Sequence, residues 1–195
     1  LKVERLFLSK CAGTTKELEK LENLGKQAGC QVVYIQKGSK IRDEDLLIEC
    51  LGPGQIYEDS NESSQVLHVS QGDFDVLFTG DVEGKGEEQV LELLQECSVT
   101  WEVLKVAHHG SKNSSKETFL DCVKPKQAVI SCGKDNSYGH PHREVMERLE
   151  TRVQRIFITW KEGAVGMYVR NPFFSQGKNR DKMSRNQEKT PGGLE

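Results

Sequence analysis

The sequence predicts one domain, or part of one, of the α/β class, in which helices pack in layers against a central sheet. Short apolar and β-branched runs alternate with amphipathic segments over most of the 195 residues, a pattern typical of strands alternating with helices. A chain of this length can bury one sizeable core. Polar residues also collect where several predicted strands end, and layered α/β folds build their sites at that edge.

The first part of the chain predicts three strands and one helix. The strands are VERLFLSK, the buried CQVVYIQKG, and DLLIECLGP, which ends at its proline. The helix is TTKELEKLENLGKQAG, in which one of the first threonines caps a run of leucines at helical spacing.

The middle of the chain predicts a hairpin, a helix and a further strand. QVLHVSQ and DFDVLFTGD are joined at Gly72-Asp73, and a Gly-Asp pair between two apolar runs is a strong hairpin signal. EEQVLELLQEC predicts an amphipathic helix, and VTWEVLKVAHHG predicts a strand that ends in two histidines.

The last elements continue the alternation. SSKETFLDCV predicts a helix capped by a serine, and QAVISCG predicts a strand. HPHREVMERLE predicts a helix with a proline near its first turn. RIFITW and AVGMYV predict a closing hairpin. Residues 175–195 contain almost nothing apolar and predict a disordered tail, so the domain is expected to span residues 1–174.

Composition excludes some functional classes. The formal net charge of −3 gives no overall positive field that would recruit nucleic acid, although a local basic patch is compatible with it. No apolar run approaches the roughly 20 residues that a membrane-spanning helix needs. The six cysteines are widely spaced and form no CxxC pair, which argues against a zinc knuckle and favours free thiols.

Candidate metal ligands follow three of the predicted strands. Asp81 ends the first, His108 and His109 end the second, and His140 lies in the loop after the third. If these strands lie side by side, one carboxylate and two or three imidazoles meet at one edge of the sheet. Such a set suits zinc or manganese, and a bound ion would supply hydroxide at neutral pH.

The same segments resemble a known family. In order and approximate spacing, the chain resembles the metallo-β-lactamase-like domain of the ComEC DNA-uptake family through SNESSQVLHV, FTGD, LKVAHHGSKNSS and AVISCGKDNSYGHPH. The resemblance covers roughly residues 1–170. It implies a metallo-β-lactamase-like αββα sandwich, of which this chain would be mainly the carboxy-terminal half.

The resemblance implies a role for each candidate ligand. Asp81 matches a bridging aspartate that would touch two metal ions, and His140 matches a late histidine that completes the shell of the second ion. His108 or His109 lies where a further ligand or substrate contact belongs. Alternation along a strand predicts that only one of these two points into the site. The expected metal ligands are thus Asp81, His108 and His140, and the expected catalytic residues are Asp81, His108 and His109.

A substrate phosphate is expected beside these ligands. Ser111 and Lys112 lie near a predicted helix start, where amide groups bind anions; a simple helix cap with solvated lysines is the competing interpretation. Asn61 or Ser63 would orient water or a phosphate, and Tyr138 belongs to a polar lip beside the histidine loop.

Simpler interpretations exist for single residues. Asp81 alone could be a turn residue or a helix cap. His142 is expected to face solvent or to cap a helix, and His68 to occupy an ordinary strand face. Trp101 and Trp160 are expected to pack rather than to stack on bases. The order of the motifs in one chain is what favours the metal site.

The resemblance also shows what this chain lacks. Enzymes of this fold take their principal metal ligands from an HxHxDH motif in the amino-terminal half, and none of the five histidines lies in such a motif. The chain is expected to begin just after the place of that motif; a natural variant that has lost the motif is the alternative. We expect this chain alone to bind metal weakly and to hydrolyse DNA negligibly.

The resemblance implies a metal-dependent hydrolase domain of a DNA-uptake protein. Two zinc or manganese ions would act on DNA, the partner would be the rest of a membrane-embedded DNA channel, and the domain would lie at the outer face of the bacterial cytoplasmic membrane. The alternatives are a non-catalytic scaffold that binds DNA or a partner, and a free-standing secreted hydrolase.

Overall fold

The computed structural model describes residues 2–13 and 15–169. The expected tail, residues 175–195, lies outside these residues. The strands are β1 (Arg5–Ser9), β2 (Gln31–Ile35), β3 (Lys40–Asp43), β4 (Leu46–Gly52), β5 (Val66–Gln71), β6 (Phe74–Phe78), β7 (Val103–Lys105), β8 (Gln127–Ile130) and β9 (Arg155–Ile158). The helices are α1 (Lys16–Gln27), α2 (Gly84–Leu94), α3 (Glu117–Val123), α4 (Arg143–Glu150) and α5 (Thr159–Glu162).

Two sheets are formed, and the larger one positions the candidate site. Its seven strands lie in the order β3-β4-β5-β6-β7-β8-β9, while β1 and β2 form a separate parallel pair. Strands β3 to β6 are antiparallel, and β6 to β9 are parallel. Since β6, β7 and β8 are parallel neighbours, their carboxyl ends meet at one edge. The α/β class and the predicted adjacency of these strands are confirmed.

The main core lies between this sheet and the helices α2, α3 and α4. Apolar side chains from the central strands and from all three helices form one buried cluster, which includes Leu77, Leu104, Ile130, Val90, Phe119 and Leu149. Each is at most 1% exposed. Removing a side chain of this size from such an interior typically costs 2–5 kcal/mol, so this layer holds the strand ends in fixed relation.

Local signals in the sequence set several elements as predicted. The threonine before α1 is Thr15, whose hydroxyl accepts a hydrogen bond from the Leu18 amide at 3.1 Å. Gly29 follows α1 with a φ of +76°, which suits glycine after a helix. The turn at Gly72-Asp73 joins β5 to β6 in register from Gln71–Phe74 onward. The predicted helix cap and hairpin are confirmed.

The closing hairpin predicted from RIFITW and AVGMYV is wrong. β9 ends at Ile158, Thr159–Glu162 is helical, and residues 163–169 form no strand. The apolar residues Val165, Met167 and Val169 do alternate, but they line one side of a cavity of about 350 Å³ over the second face of the large sheet. Their spacing therefore reflects packing onto a sheet face rather than pairing at its edge.

Two predicted strands, β2 and β7, need correction, and one strand, β3, was not predicted. β2 is mostly half-buried or exposed, with only Ile35 buried, because its sheet has two strands. β3 was not predicted, since KIRD is too polar to stand out. The strand predicted to end in two histidines, β7, ends earlier at Lys105, and both histidines lie in a 3₁₀ turn, Ala107–Gly110.

Among the described residues, no helix is long and apolar enough to cross a membrane.

Candidate functional site

Asp81 is held at the carboxyl end of β6 by the loop that precedes β5. Gly80 has a φ of +55°, and a side chain there would bring its Cβ within 3.0 Å of the Gln65 carbonyl oxygen. The Asp81 amide donates to the hydroxyl of Ser64 at 3.2 Å. The SNESS motif thus fixes the Asp81 backbone through Ser64.

Lys105 lies beside Asp81 and balances its charge. The ammonium group donates to the Gly80 carbonyl oxygen at 2.5 Å and lies 3.5 Å from Asp81 Oδ1. Burial lowers the pKa of Lys105, while the Asp81 carboxylate raises it. The parallel register that places Lys105 opposite Phe78 brings it to Asp81.

The two histidines leave the sheet in an unusual backbone conformation. His108 and His109 have φ values of 45° and 54°, in the left-handed region that costs L-residues roughly 1–2 kcal/mol each. The His108 amide donates to Gly80 at 3.1 Å, and the His108 carbonyl accepts from the Ser111 amide at 2.9 Å. Because neither residue is in a strand, strand alternation does not decide which of the two rings faces the site; the ring centres lie 6.3 Å apart.

Each of these imidazoles is oriented through its Nδ1 atom. His108 Nδ1 lies 3.1 Å from Glu83 Oε2, and His109 Nδ1 lies 2.5 Å from the Ser131 carbonyl oxygen. Both partners accept hydrogen bonds, so Nδ1 is the donor in each ring and Nε2 is the nitrogen left for a further contact. Metal-binding histidines in proteins are commonly held in this way. The side-chain Nδ2 of Asn61 in turn donates to Glu83 Oε1 at 3.1 Å.

His140 enters the same edge from the loop after β8. The Asn136 side chain clamps this loop: it accepts from the His140 amide at 2.9 Å and donates to the carbonyl oxygens of His140 and Gly133 at 2.6 and 2.8 Å. The His140 ring centre lies 5.4 Å from that of His108 and 6.4 Å from that of His109.

The surroundings of His140 favour a neutral imidazole. Burial lowers its pKa, nearby His142, His108 and His109 lower it further, and Asp81 opposes them. Neutral imidazole is the form that binds metal. The His140 ring is therefore in the form that can bind a metal cation at neutral pH.

His142 and Gly110 connect the two histidine loops. The His142 ring accepts from the Lys112 amide at 3.2 Å, and the His142 amide donates to Gly110 at 2.9 Å. Gly110 has a φ of +87°, and a Cβ there would lie 2.6 Å from the Pro141 Cβ. His142 occupies the N-cap position of α4 without a side-chain bond to that helix, so its observed contact is with the neighbouring loop.

Two further predictions concern residues away from the site. His68 lies in β5, where its Nε2 lies 2.6 Å from Asp75 Oδ1 and its ring centre lies 4.7 Å from that of Trp101, with the two rings in a T-shaped arrangement. Trp101 is 3% exposed and packs in the core as predicted, whereas Trp160 is 40% exposed, with Lys161 over its ring, because α5 lies at the surface.

A buried carboxylate that the sequence did not single out, Glu87, organises the loop after the histidines. It is 2% exposed and accepts from the amides of Ser115 and Lys116, the latter at 3.0 Å. Burial raises its pKa, and these two amides oppose the shift. No serine side chain caps α3, so that prediction is wrong. The available signal was a glutamate on the same helical face as Val90 and Leu94.

The expected substrate contacts fall into two groups. Ser111 is 4% exposed and its hydroxyl accepts from the Asn113 amide, while the Ser63 hydroxyl accepts from the Tyr57 amide at 2.9 Å. Asn61, Ser63 and Ser111 are therefore engaged within the protein. Lys112 and Tyr138 are exposed.

Part of this edge has the geometry of a metal site. Asp81 Oδ1 and His109 Nε2 lie 3.6 Å apart, close to the roughly 3.4 Å that separates two ligands of one tetrahedral zinc ion. Within residues 2–13 and 15–169, however, no three His, Cys, Asp or Glu side chains are arranged to hold an ion. The chain thus presents a pair of matched donors, and not a full shell.

Comparison with known proteins places this geometry in a family. Residues 9–134 match the metallo-beta-lactamase superfamily. The chain is 33% identical over 171 residues to ComE operon protein 3 of Bacillus subtilis, covering 87% of this chain and 22% of that protein. It is 37% identical over 107 residues to competence protein ComA of Neisseria gonorrhoeae, covering 55% of this chain and 15% of that protein.

A solved structure is also similar. The metallo-beta-lactamase fold protein YhfI from Bacillus subtilis aligns with a TM-score of 0.48 and 10% identity, over 80% of this chain and 62% of that one. The chain spans about a fifth or less of the length of the two competence relatives. The predicted fold and resemblance are confirmed: the chain belongs to the metallo-beta-lactamase superfamily.

Proposed function

We propose that this chain is a domain of a DNA-uptake protein and supplies part of a metal-dependent site. That site would hydrolyse the phosphodiester bonds of DNA. The observation that carries the proposal is the paired orientation of His108 and His109 beside Asp81. Each ring gives its Nδ1–H to a fixed acceptor, which leaves Nε2 for another contact, and the Nε2 of His109 already lies 3.6 Å from the Asp81 carboxylate.

The chain's own residues would divide the work as follows. Asp81 and His109 would hold a zinc or manganese ion, with His108 and His140 as further neutral donors. A bound ion supplies hydroxide at neutral pH. Lys105 would neutralise the carboxylate or meet a phosphate oxygen, and exposed Lys112 would attract the DNA backbone.

The competence relatives support the biological setting. Their names, a ComE operon protein and a competence protein, support a role in competence. In that setting the substrate would be DNA, the partner would be the rest of a membrane-embedded channel, and this domain would lie at the outer face of the membrane. Asp81, His109, His108 and His140 together offer four donors, which is too few to fill the shells of two ions. The 195-residue chain alone is therefore expected to bind two metal ions weakly.

The test uses the full-length protein that contains this chain. Asp81→Ala should abolish manganese-dependent DNA hydrolysis, because it removes the only carboxylate proposed as a ligand, while Asp73→Ala, in the exposed β5–β6 turn, should leave hydrolysis unchanged. Circular dichroism should show the same fold in both variants. Undiminished hydrolysis by Asp81→Ala would remove Asp81 from the site.

A non-catalytic scaffold is the second candidate. Two observations favour it: the lack of a three-ligand cluster among the described residues, and the ammonium of Lys105 that already neutralises Asp81. A scaffold would bind DNA without added metal and hydrolyse none of it in the full-length protein. The same assay therefore separates the two functions.

A further inference from the structure

A second cavity lies beside the candidate metal edge and belongs to none of the roles assigned so far. It measures about 350 Å³, at the small end of the roughly 300–1,000 Å³ typical of small-molecule sites. The lining residues are His109, Ser131, Cys132, Gly133, Asn136, Tyr138, His140 and Thr159. A Cβ built on Gly133 meets no atom within 4 Å, so the cavity is open at that point.

The lining suits an uncharged ligand. None of its residues is Asp, Glu, Lys or Arg, and burial raises the pKa of the Cys132 thiol, which keeps it protonated at neutral pH. The Thr159 hydroxyl accepts from the Cys132 amide and donates to the Cys132 carbonyl oxygen, both at 3.1 Å. A phosphate in this cavity would therefore meet no Lys or Arg side chain from its lining.

Tyr138 gives the cavity an exposed aromatic wall. Its side chain is among the most open large apolar groups described, at 76% exposure. It stacks on the His140 ring with 5.7 Å between centres and 23° between planes. One face of Tyr138 is thereby supported and most of its remaining surface is open, which is the arrangement on which nucleic-acid bases stack.

We propose that this cavity binds a nucleobase of the DNA strand whose phosphodiester lies at the Asp81–His109 edge. His109 and His140 border both places, so a nucleotide at the edge would have its base beside the cavity. The inference rests on the proposed function for the nature of the strand. It changes the expected role of Tyr138 from contact with a phosphate to stacking on a base.

The test measures binding by the 195-residue chain, without hydrolysis. The probe is a short single-stranded oligodeoxynucleotide that carries 2-aminopurine, whose fluorescence is quenched by stacking. Loss of one stacked base should weaken binding roughly tenfold. Two variants should each weaken binding by about this factor: Gly133→Leu, which fills the cavity, and Tyr138→Ala, which removes the aromatic wall. In a competition assay, a strand with an abasic site in place of 2-aminopurine should compete roughly tenfold less well.

Two matched variants control for indirect effects. Tyr138→Phe keeps the ring, and Gly166→Leu adds the same bulk at another glycine with open space and no positive φ; both should bind within about twofold of the original chain. Absence of quenching in the original chain up to millimolar concentration, or equal affinity of Gly133→Leu, would overturn the subsite. Since hydrolysis is not read out, the subsite and the proposed function can fail separately.

Discussion

Replacing Glu87 by alanine should destabilise the fold far more than a charge change on the surface of α2 would. Glu87 crosses from α2 to the start of α3 and accepts from two backbone amides, those of Ser115 and Lys116. These amides follow the loop that holds His108 and His109. The carboxylate therefore connects the helical layer to the candidate site.

The magnitude follows from what the substitution leaves behind. Each buried amide without an acceptor costs roughly 1–3 kcal/mol, which gives about 2–6 kcal/mol for the two. Removing a carboxyl whose burial is itself unfavourable offsets part of this, since burial raises the pKa of Glu87. We expect a net loss of about 3 kcal/mol in the free energy of unfolding.

Urea unfolding of the chain, followed by circular dichroism, measures this loss. With slopes of roughly 1–3 kcal/mol per molar urea, the midpoint should fall by about 1–3 M. The control is Glu88→Ala at the next position, which removes an exposed ion pair with Lys116 at 3.5 Å and should cost less than about 1 kcal/mol. Equal midpoints for the two variants would refute the reasoning.

Three further predictions concern stability and metal affinity. Glu83→Ala removes the acceptor of His108 Nδ1 and should weaken manganese binding by the full-length protein roughly 10–100-fold by calorimetry; unchanged affinity would exclude His108 as a ligand. Burial raises the pKa of Glu87 above its ordinary value of 4.5. The contribution of Glu87 to the free energy of unfolding is therefore full below pH 4.5 and is lost as the pH rises through the raised pKa. The stability of the original chain relative to Glu87→Gln, from urea unfolding, should therefore fall above about pH 4.5, and a constant difference would contradict this. Thr15→Ala removes the α1 cap and should cost about 1 kcal/mol in the same assay; no measurable loss would show that α1 does not depend on that cap.

The sequence was most informative where local rules act. A threonine three residues before a leucine amide, a glycine after a helix and a Gly-Asp pair between apolar runs each set the local backbone wherever they occur. The sequence was least informative about features that depend on contacts between residues far apart in the chain. The serine cap of α3 was wrong because Glu87, from another helix, occupies the amides, and the closing hairpin failed because Val165, Met167 and Val169 lie against a sheet face.

The candidate site shows the same division. By itself, the sequence determined that Asp81, the two histidines and His140 follow consecutive strands of one layered fold, because apolar periodicity and motif order are properties of the chain. Only the tertiary structure decided which ring nitrogen of His108 and of His109 is held, that Lys105 neutralises Asp81, and that a cavity without Asp, Glu, Lys or Arg opens beside Tyr138. These features depend on contacts between residues some 20 to 30 positions apart, and such contacts exist only once the parallel strands and the left-handed histidine turn have brought the loops together.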